Sequence, residues 1–394
     1  MKTALIVRVG GLGDCLILTV VARELAKKDY LVDYAVGSPT GNLSELFTKL
    51  PYFNKVFQVN RLNGIDCIED ESKNVVSVEL LKDSYDEVFD FKYSVEDNVT
   101  GLNKREEWRA TINSNFQNWI DLSLSWANID PTQVKNKRPE FQYPDFTDNV
   151  PGVSKYEIWV ETETPIRWKK DRGHRVIGIQ LNASSLTRSW YRSADLPKML
   201  HEKYPNDIVC IFAGDKWVAL TENGNVEIRT PDGYNPILCS ATLIANMDVF
   251  IAADSGMSHI AEATGTPTIG VYTTVPSWTR VKDYLFAHPI DATVPCHPCF
   301  NLDIFCPLEK KKAKESISER EKDILAGSDA NANINDFAKK YNTVPKAIFE
   351  EFEAINKRIQ AMSAVEPACV HSITSELIMN KVEEILCKTT DIQQ

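Results

Sequence analysis

Thr3-Ala-Leu-Ile-Val-Arg-Val-Gly-Gly-Leu-Gly-Asp14 is the stretch on which the fold turns. Its first seven residues are aliphatic and β-branched, the composition of a buried strand. Gly10, Gly11 and Gly13 then predict a tight turn. The apolar-periodic residues that follow predict a helix running to Lys27 and Lys28, whose charges suit the negative end of its dipole. A second strand is expected at once, over 31–36. Strand, glycine turn, helix and strand form the opening unit of a parallel α/β layer. Further strands are expected over 52–59 and 85–91, whereas 100–143, rich in Trp, Asn and charge, yields no assignment.

The pattern restarts after a polar Lys-Lys-Asp-Arg-Gly break at 169–173. Strands are expected over 175–181, 207–213, 249–253 and 267–272, with helices over 196–203, 238–247 and 259–264. A closing helix is expected over 374–386, beyond a charged, helix-rich stretch that interrupts the pattern. The fold class is therefore α/β, with a first domain over 1–168, a second over 172–308 and 368–388, and a helical insert over 309–367.

Composition narrows the function. With 55 acidic and 44 basic residues among 394, the net charge of -11 disfavours a wholesale electrostatic grip on nucleic acid or anionic membrane. The stretch 307–367 alone is balanced, at eleven basic and eleven acidic side chains, so it repels polyanions less than its host. The longest apolar run, near 15–22, falls short of the ~20 residues of a transmembrane helix. Arg8 and Asp14 interrupt what would be a secretory signal, and nine cysteines, an odd number, argue for a reducing cytosol over a disulfide scaffold.

Two constellations carry chemistry. Asp14 directly follows the glycine turn; it reads either as a helix N-cap or as a carboxylate at the carboxyl end of the first strand, where open α/β sheets bind ligands. In the second reading it can take a proton from an attacking hydroxyl. The turn lacks the full dinucleotide fingerprint, and no acidic residue ends the second strand, so a nicotinamide dinucleotide is discounted. The other constellation is Ala253-Asp-Ser-Gly-Met-Ser-His259-Ile-Ala-Glu-Ala-Thr-Gly265-Thr-Pro267. A strand ending at Asp254 would leave Ser255, Gly256 and Met257 presenting backbone N–H groups at a helix N-terminus, a pocket for a diphosphate. His259 reads as a packed first-turn residue or as a ligand contact, and Asp254 beside it favours the contact.

With these motifs in place, the sequence resembles glycosyltransferase family 9, the ADP-heptose:lipopolysaccharide heptosyltransferases. Three separated stretches carry the likeness: Arg8–Asp14, Leu181-Asn-Ala-Ser-Ser-Leu-Thr-Arg188-Ser-Trp190, and Asp254–Pro267. Cys296-His-Pro-Cys299 and Cys369-Val-His-Ser-Ile-Thr extend it over most of the chain outside 307–367. The resemblance implies a GT-B fold, two Rossmann-like domains facing across a cleft, the first for the acceptor and the second for a nucleotide-diphosphate sugar. It implies Asp14 as general base, Thr187 and Arg188 on the donor phosphates with Arg188 replacing the usual lysine, Asp254 on the donor sugar, and Ser255, Gly256 and His259 near the diphosphate. The expected reaction is one in-line displacement with inversion, without a catalytic metal.

Cys296-x2-Cys299-x6-Cys306, with Cys369 beyond the insert, reads as a four-thiolate structural zinc site or as buried thiols. Within the insert, 334–352 resembles a DNA-binding helix-turn-helix, with Lys339, Lys340 and Lys346 placed to meet phosphates; the alternative is a plain helical hairpin. Three functions follow: glycosyl transfer to a hydroxymethylated base in double-stranded DNA, which the insert favours; transfer of heptose to the lipopolysaccharide inner core; or non-catalytic binding of nucleotide sugar and DNA.

Overall fold

The computed structural model describes residues 1–38, 41–70, 72–91, 118–141, 159–160, 164–166, 172–183, 188–190, 195–212, 216–298, 318, 354 and 368–391. Strand β1 (Lys2–Val9) is buried on both faces: Ala4 and Ile6 pack with α1 (Leu12–Ala26), while Leu5 and Val7 pack against Ile68 and Val78. Two-sided burial is why this strand reads as a continuous apolar run. Parallel strands β2 (Tyr30–Gly37) and β7 (Glu87–Asp90) flank β1, and β3 (Phe53–Gln58) pairs outside β2. A small antiparallel sheet of β4 (Asn60–Leu62), β5 (Ile65–Glu69) and β6 (Val75–Ser77), followed by α2 (Val78–Lys82), covers the far face. Helix α3 (Trp119–Trp126) lies in the stretch that the sequence left unassigned, and packs on α1.

The second sheet has the order β11-β10-β9-β8-β12-β13-β14. Strands β8 (Val176–Gln180), β9 (Ile208–Phe212), β12 (Val249–Ala253), β13 (Thr268–Tyr272) and β14 (Ile290–Asp291) run parallel. An antiparallel hairpin, β10 (Trp217–Thr221) and β11 (Gly224–Ile228), extends one edge. Its helices are α4 (Asp195–Lys203), α5 (Pro236–Ala245), α6 (Gly256–Thr264) and the single turn α7 (Trp278–Val281). Helix α6 ends where the sequence placed its stop: Gly265 takes φ 79°, a left-handed conformation that glycine adopts without a Cβ penalty.

Two cores flank the second sheet. Its upper face joins the core of the first sheet through α1 and α6, so Leu16, Leu43, Phe250 and Ile260 belong to one continuous apolar body. The lower face is closed by α4 and by the chain's tail, α8 (Ala368–His371) and α9 (Ser375–Asp391), through Ile378, Val382, Ile385 and Leu386. Trp190 Nε1 donates to Ile373 O at 3.0 Å, tying the tail beneath β8. Thr293 N, just past β14, donates to Ser372 Oγ at 3.1 Å, so the chain re-enters the frame beside the place it left. No described helix is long and apolar enough to cross a membrane.

Candidate active site

A cavity of about 830 Å³ opens where the carboxyl ends of the two parallel sheets face each other. Gly10, Gly11, Gly13 and Asp14 line it from the turn after β1; Arg188, Asp254, Ser255, Gly256 and His259 line it from the second sheet. Residues far apart in the chain are therefore brought into one chamber, at the position where open α/β sheets hold ligands. Thr187 lies outside the described residues, as do Lys339, Lys340, Lys346, Cys299 and Cys306. Cys296 is half-buried and Cys369 is buried in the lower core. Among the described residues, no group of three His, Cys, Asp or Glu side chains is placed to hold a metal ion.

Close approach of α1 and α6 explains two of the glycines. A Cβ on Gly13 would stand 2.5 Å from His259 Cδ2, and one on Gly256 would stand 2.8 Å from Leu12 Cβ. Both N-termini open on the cavity, and neither has a side-chain cap: the N-cap residue of α1 is Gly11, and that of α6 is Ser255, whose hydroxyl donates to Gln180 Oε1 at 2.9 Å instead. Elsewhere Ser77, Asn118 and Asn235 cap α2, α3 and α5 in the ordinary way. First-turn N–H groups have no intrahelical acceptor, so two uncapped positive ends converge on one space, an arrangement suited to anions.

Asp14 is not an N-cap. The helix starts at Leu12, which puts Asp14 inside the first turn with its Oδ2 accepting from Arg8 Nη2 at 2.8 Å. Arg8 is buried and also donates through Nη1 to Phe91 O at 2.7 Å, which fixes the guanidinium and hence the carboxylate. Oδ1 carries no hydrogen bond among the described residues.

Asp254, at the end of β12, is buried between two arginines: Arg188 Nη1 lies 3.4 Å from Oδ2, and Arg280 Nε 3.4 Å from Oδ1. Burial pushes its carboxyl up, but Arg280 and Arg188 outweigh that and hold it below the usual range. Next to it, burial and then Arg280 push the His259 imidazole down to about 4, so it is neutral near pH 7. Burial likewise holds the Tyr284 phenol protonated. We assign the hydrogen bond between the two as phenol to Nδ1, which puts the imidazole proton on Nε2, the nitrogen nearer Gly13.

The rest of the chamber is apolar or outside the motifs. Phe212, Trp217, Ile228, Pro236 and Ile237 form a wall at the β9–β11 edge, near Lys216, which pairs with Glu227 at 2.5 Å. Sequence reasoning missed Gln180, Lys216, Tyr284 and Arg280 in this site. Gln180 and Lys216 had a partial signal, since Gln180 is the polar last residue of the apolar β8 and Lys216 stands just before β10. Arg280 had none: it sits in a one-turn helix, with its guanidinium carbon 3.0 Å above the ring of Trp119 from α3.

Residues 238–300 match the model of glycosyltransferase family 9, described as heptosyltransferase. No curated protein matches the chain. A solved glycosyl transferase family 9 structure from Veillonella parvula shares 11% identity at a TM-score of 0.54, covering 98% of this chain and 97% of its own. E. coli ADP-heptose lipopolysaccharide heptosyltransferase II is 15% identical at a TM-score of 0.46, covering 77% and 95% respectively. The iron-containing dodecameric glycosyltransferase TibC of enterotoxigenic E. coli is 11% identical at 0.47, covering 91% and 78%. The Veillonella likeness extends over the whole chain and gives the frame as GT-B. Over 238–300 the chain thus resembles the heptosyltransferases of glycosyltransferase family 9, within a GT-B frame like that of the Veillonella structure.

Proposed function

We propose that the chain moves a sugar from a nucleotide-diphosphate sugar to an acceptor hydroxyl by a single displacement with inversion. One observation carries this reading: Asp14 shares a chamber with two uncapped helix N-termini and with Arg188 and Asp254. The apolar wall at the β9–β11 edge suits a nucleobase, and the α6 N-terminus with Arg188 suits the diphosphate. In the reaction, Oδ1 of Asp14 takes the proton of the acceptor hydroxyl as its oxygen bonds to the anomeric carbon. The bond from that carbon to the diphosphate oxygen breaks, and the charge developing on the leaving oxygen is met by N–H groups and guanidinium. Neutral His259 offers its Nε2–H without adding charge.

The family description favours a heptose donor and a saccharide hydroxyl, as in the lipopolysaccharide inner core. Transfer to hydroxymethylated DNA rests on the sequence of 334–352, where Lys339, Lys340 and Lys346 stand. The deciding experiment incubates the protein with ADP-heptose or UDP-glucose and either a lipid A core or hydroxymethylated duplex DNA, and weighs both acceptors. A mass gain on the saccharide acceptor, lost in Asp14→Ala while ADP still binds, is the expected result. Gain on DNA alone, lost on deletion of 309–366, would establish the other acceptor; full transfer by Asp14→Ala would remove Asp14 as base.

A further inference from the structure

Arg280 belongs to none of the motifs, yet it occupies the centre of the chamber's electrostatics. Its side chain is 4% exposed, it lines the cavity, and it shares the Asp254 carboxylate with Arg188 from the opposite side. The described cluster thus sets two guanidinium groups against one carboxylate, each at 3.4 Å, longer than the ~2.8 Å of a tight charge-assisted bond. The guanidinium carbon lies 3.0 Å from the centroid of the Trp119 ring, and an arginine held against an aromatic face keeps its N–H fork for phosphate oxygens.

Sheet order says which part of a bound nucleotide that edge would meet. The apolar wall stands at β9–β11, Gln180 ends β8, and Asp254 with α6 follows β12. Arg280, on α7 after β13, comes next along the same row of strand ends, on the side away from the wall. A nucleotide with its base on the wall therefore turns its second phosphate, not its first, toward Arg280. Trp119, which holds Arg280 from above, comes from α3, packed on the helix that carries Asp14.

We infer that Arg280 is a second cation for the sugar-side phosphate of the donor, held in place by Trp119 so that the half of the molecule bearing Asp14 helps to grip the donor. This rests on the nucleotide-sugar reading above. It makes Arg280 a binding residue for the leaving group and Trp119 a positioning residue that acts through it.

The test is calorimetric titration of ADP and AMP into the full-length protein and into Arg280→Gln, Arg280→Lys and Trp119→Leu, at one fixed salt concentration. Arg280→Gln should weaken ADP at least tenfold and AMP less than threefold, because only ADP has the second phosphate. Arg280→Lys, which keeps the charge and loses the fork, should fall between. Trp119→Leu should weaken ADP several-fold, again sparing AMP. Equal losses for ADP and AMP would mean a merely structural arginine and overturn the inference, as would unchanged ADP affinity in Arg280→Gln. Should Arg280→Gln not fold, the same ADP-to-AMP comparison on Arg280→Lys and Trp119→Leu decides. A parent protein that binds neither ADP, UDP nor GDP would overturn both this inference and the nucleotide-sugar reading; one that binds ADP with no selective loss in the variants would overturn the inference alone.

Discussion

His259 is buried and neutral while its unfolded counterpart titrates near 6.5, and that difference makes stability depend on pH. The folded imidazole accepts its proton only near 4, so between those values the unfolded chain binds more protons and stability drains as pH falls. Asp254, with its carboxyl held below the usual range, adds a further loss at lower pH still. Urea unfolding should therefore show a lower midpoint at pH 4.5 than at pH 7, and the gap should shrink in His259→Gln. Gly13→Ala should lower the unfolding free energy from the same titration by about 1–3 kcal/mol for overpacking, because the new methyl would press on His259. Asp14 and Asp254 were legible in the sequence because each lies between an apolar strand and the body of the helix that follows it. Arg280 was not: its partners, Asp254 and Trp119, are distant in the chain, and no local pattern announces a contact made only by folding.

Side chains cap α2, α3 and α5, whereas the N-termini of α1 and α6 are left open. Asn235 caps α5 through Ile237 N at 3.0 Å and also donates to Asn42 O at 2.9 Å on the first half. Asn235→Ala should cost ~1 kcal/mol for the cap alone, read as a lower melting temperature. Ser255→Asp should do the reverse: a carboxylate at the α6 N-terminus satisfies the dipole, raising thermal stability while weakening ADP at least tenfold by like-charge repulsion. Elements buried on both faces were readable, since β1, β8 and β12 are continuous apolar runs. The polar edge pieces were not: β4 is Asn-Arg-Leu and fully exposed, and β11 is exposed except at Ile228. Helix α3 escaped because Asp121, Ser123 and Ser125 break its apolar stripe, although Asp121 and Ser123 are buried, Asp121 pairing with Lys137 at 2.6 Å.

Across the whole molecule, the two sheets are joined by polar contacts as well as by the shared core. Glu262 on α6 is buried, and it accepts from Arg138 Nε at 3.0 Å and from Leu285 N and Phe286 N, each at 2.9 Å. Asn118 Nδ2 adds a bond to Trp278 O at 3.1 Å. Glu262→Ala strands the two backbone donors and Arg138, and should cost about 3 kcal/mol in unfolding free energy, far more than loss of a surface pair. A second parallel sheet was legible from the restart of the α/β pattern near 170, but these joints were not, since each depends on how one sheet is set against the other.

The bond between Thr293 and Ser372 has a consequence for how such a chain changes over time. Departure and return share one doorstep, so the chain between them can lengthen or shorten without drawing β14 and the tail apart. Replacing 299–367 with a few glycines and serines should leave the melting temperature unchanged, and a protease nick there should leave the final helix clamped under β12 and β13 by Ile378, Ile385 and Leu386. A junction of that kind lets a lineage exchange what it carries there while the two sheets keep their places.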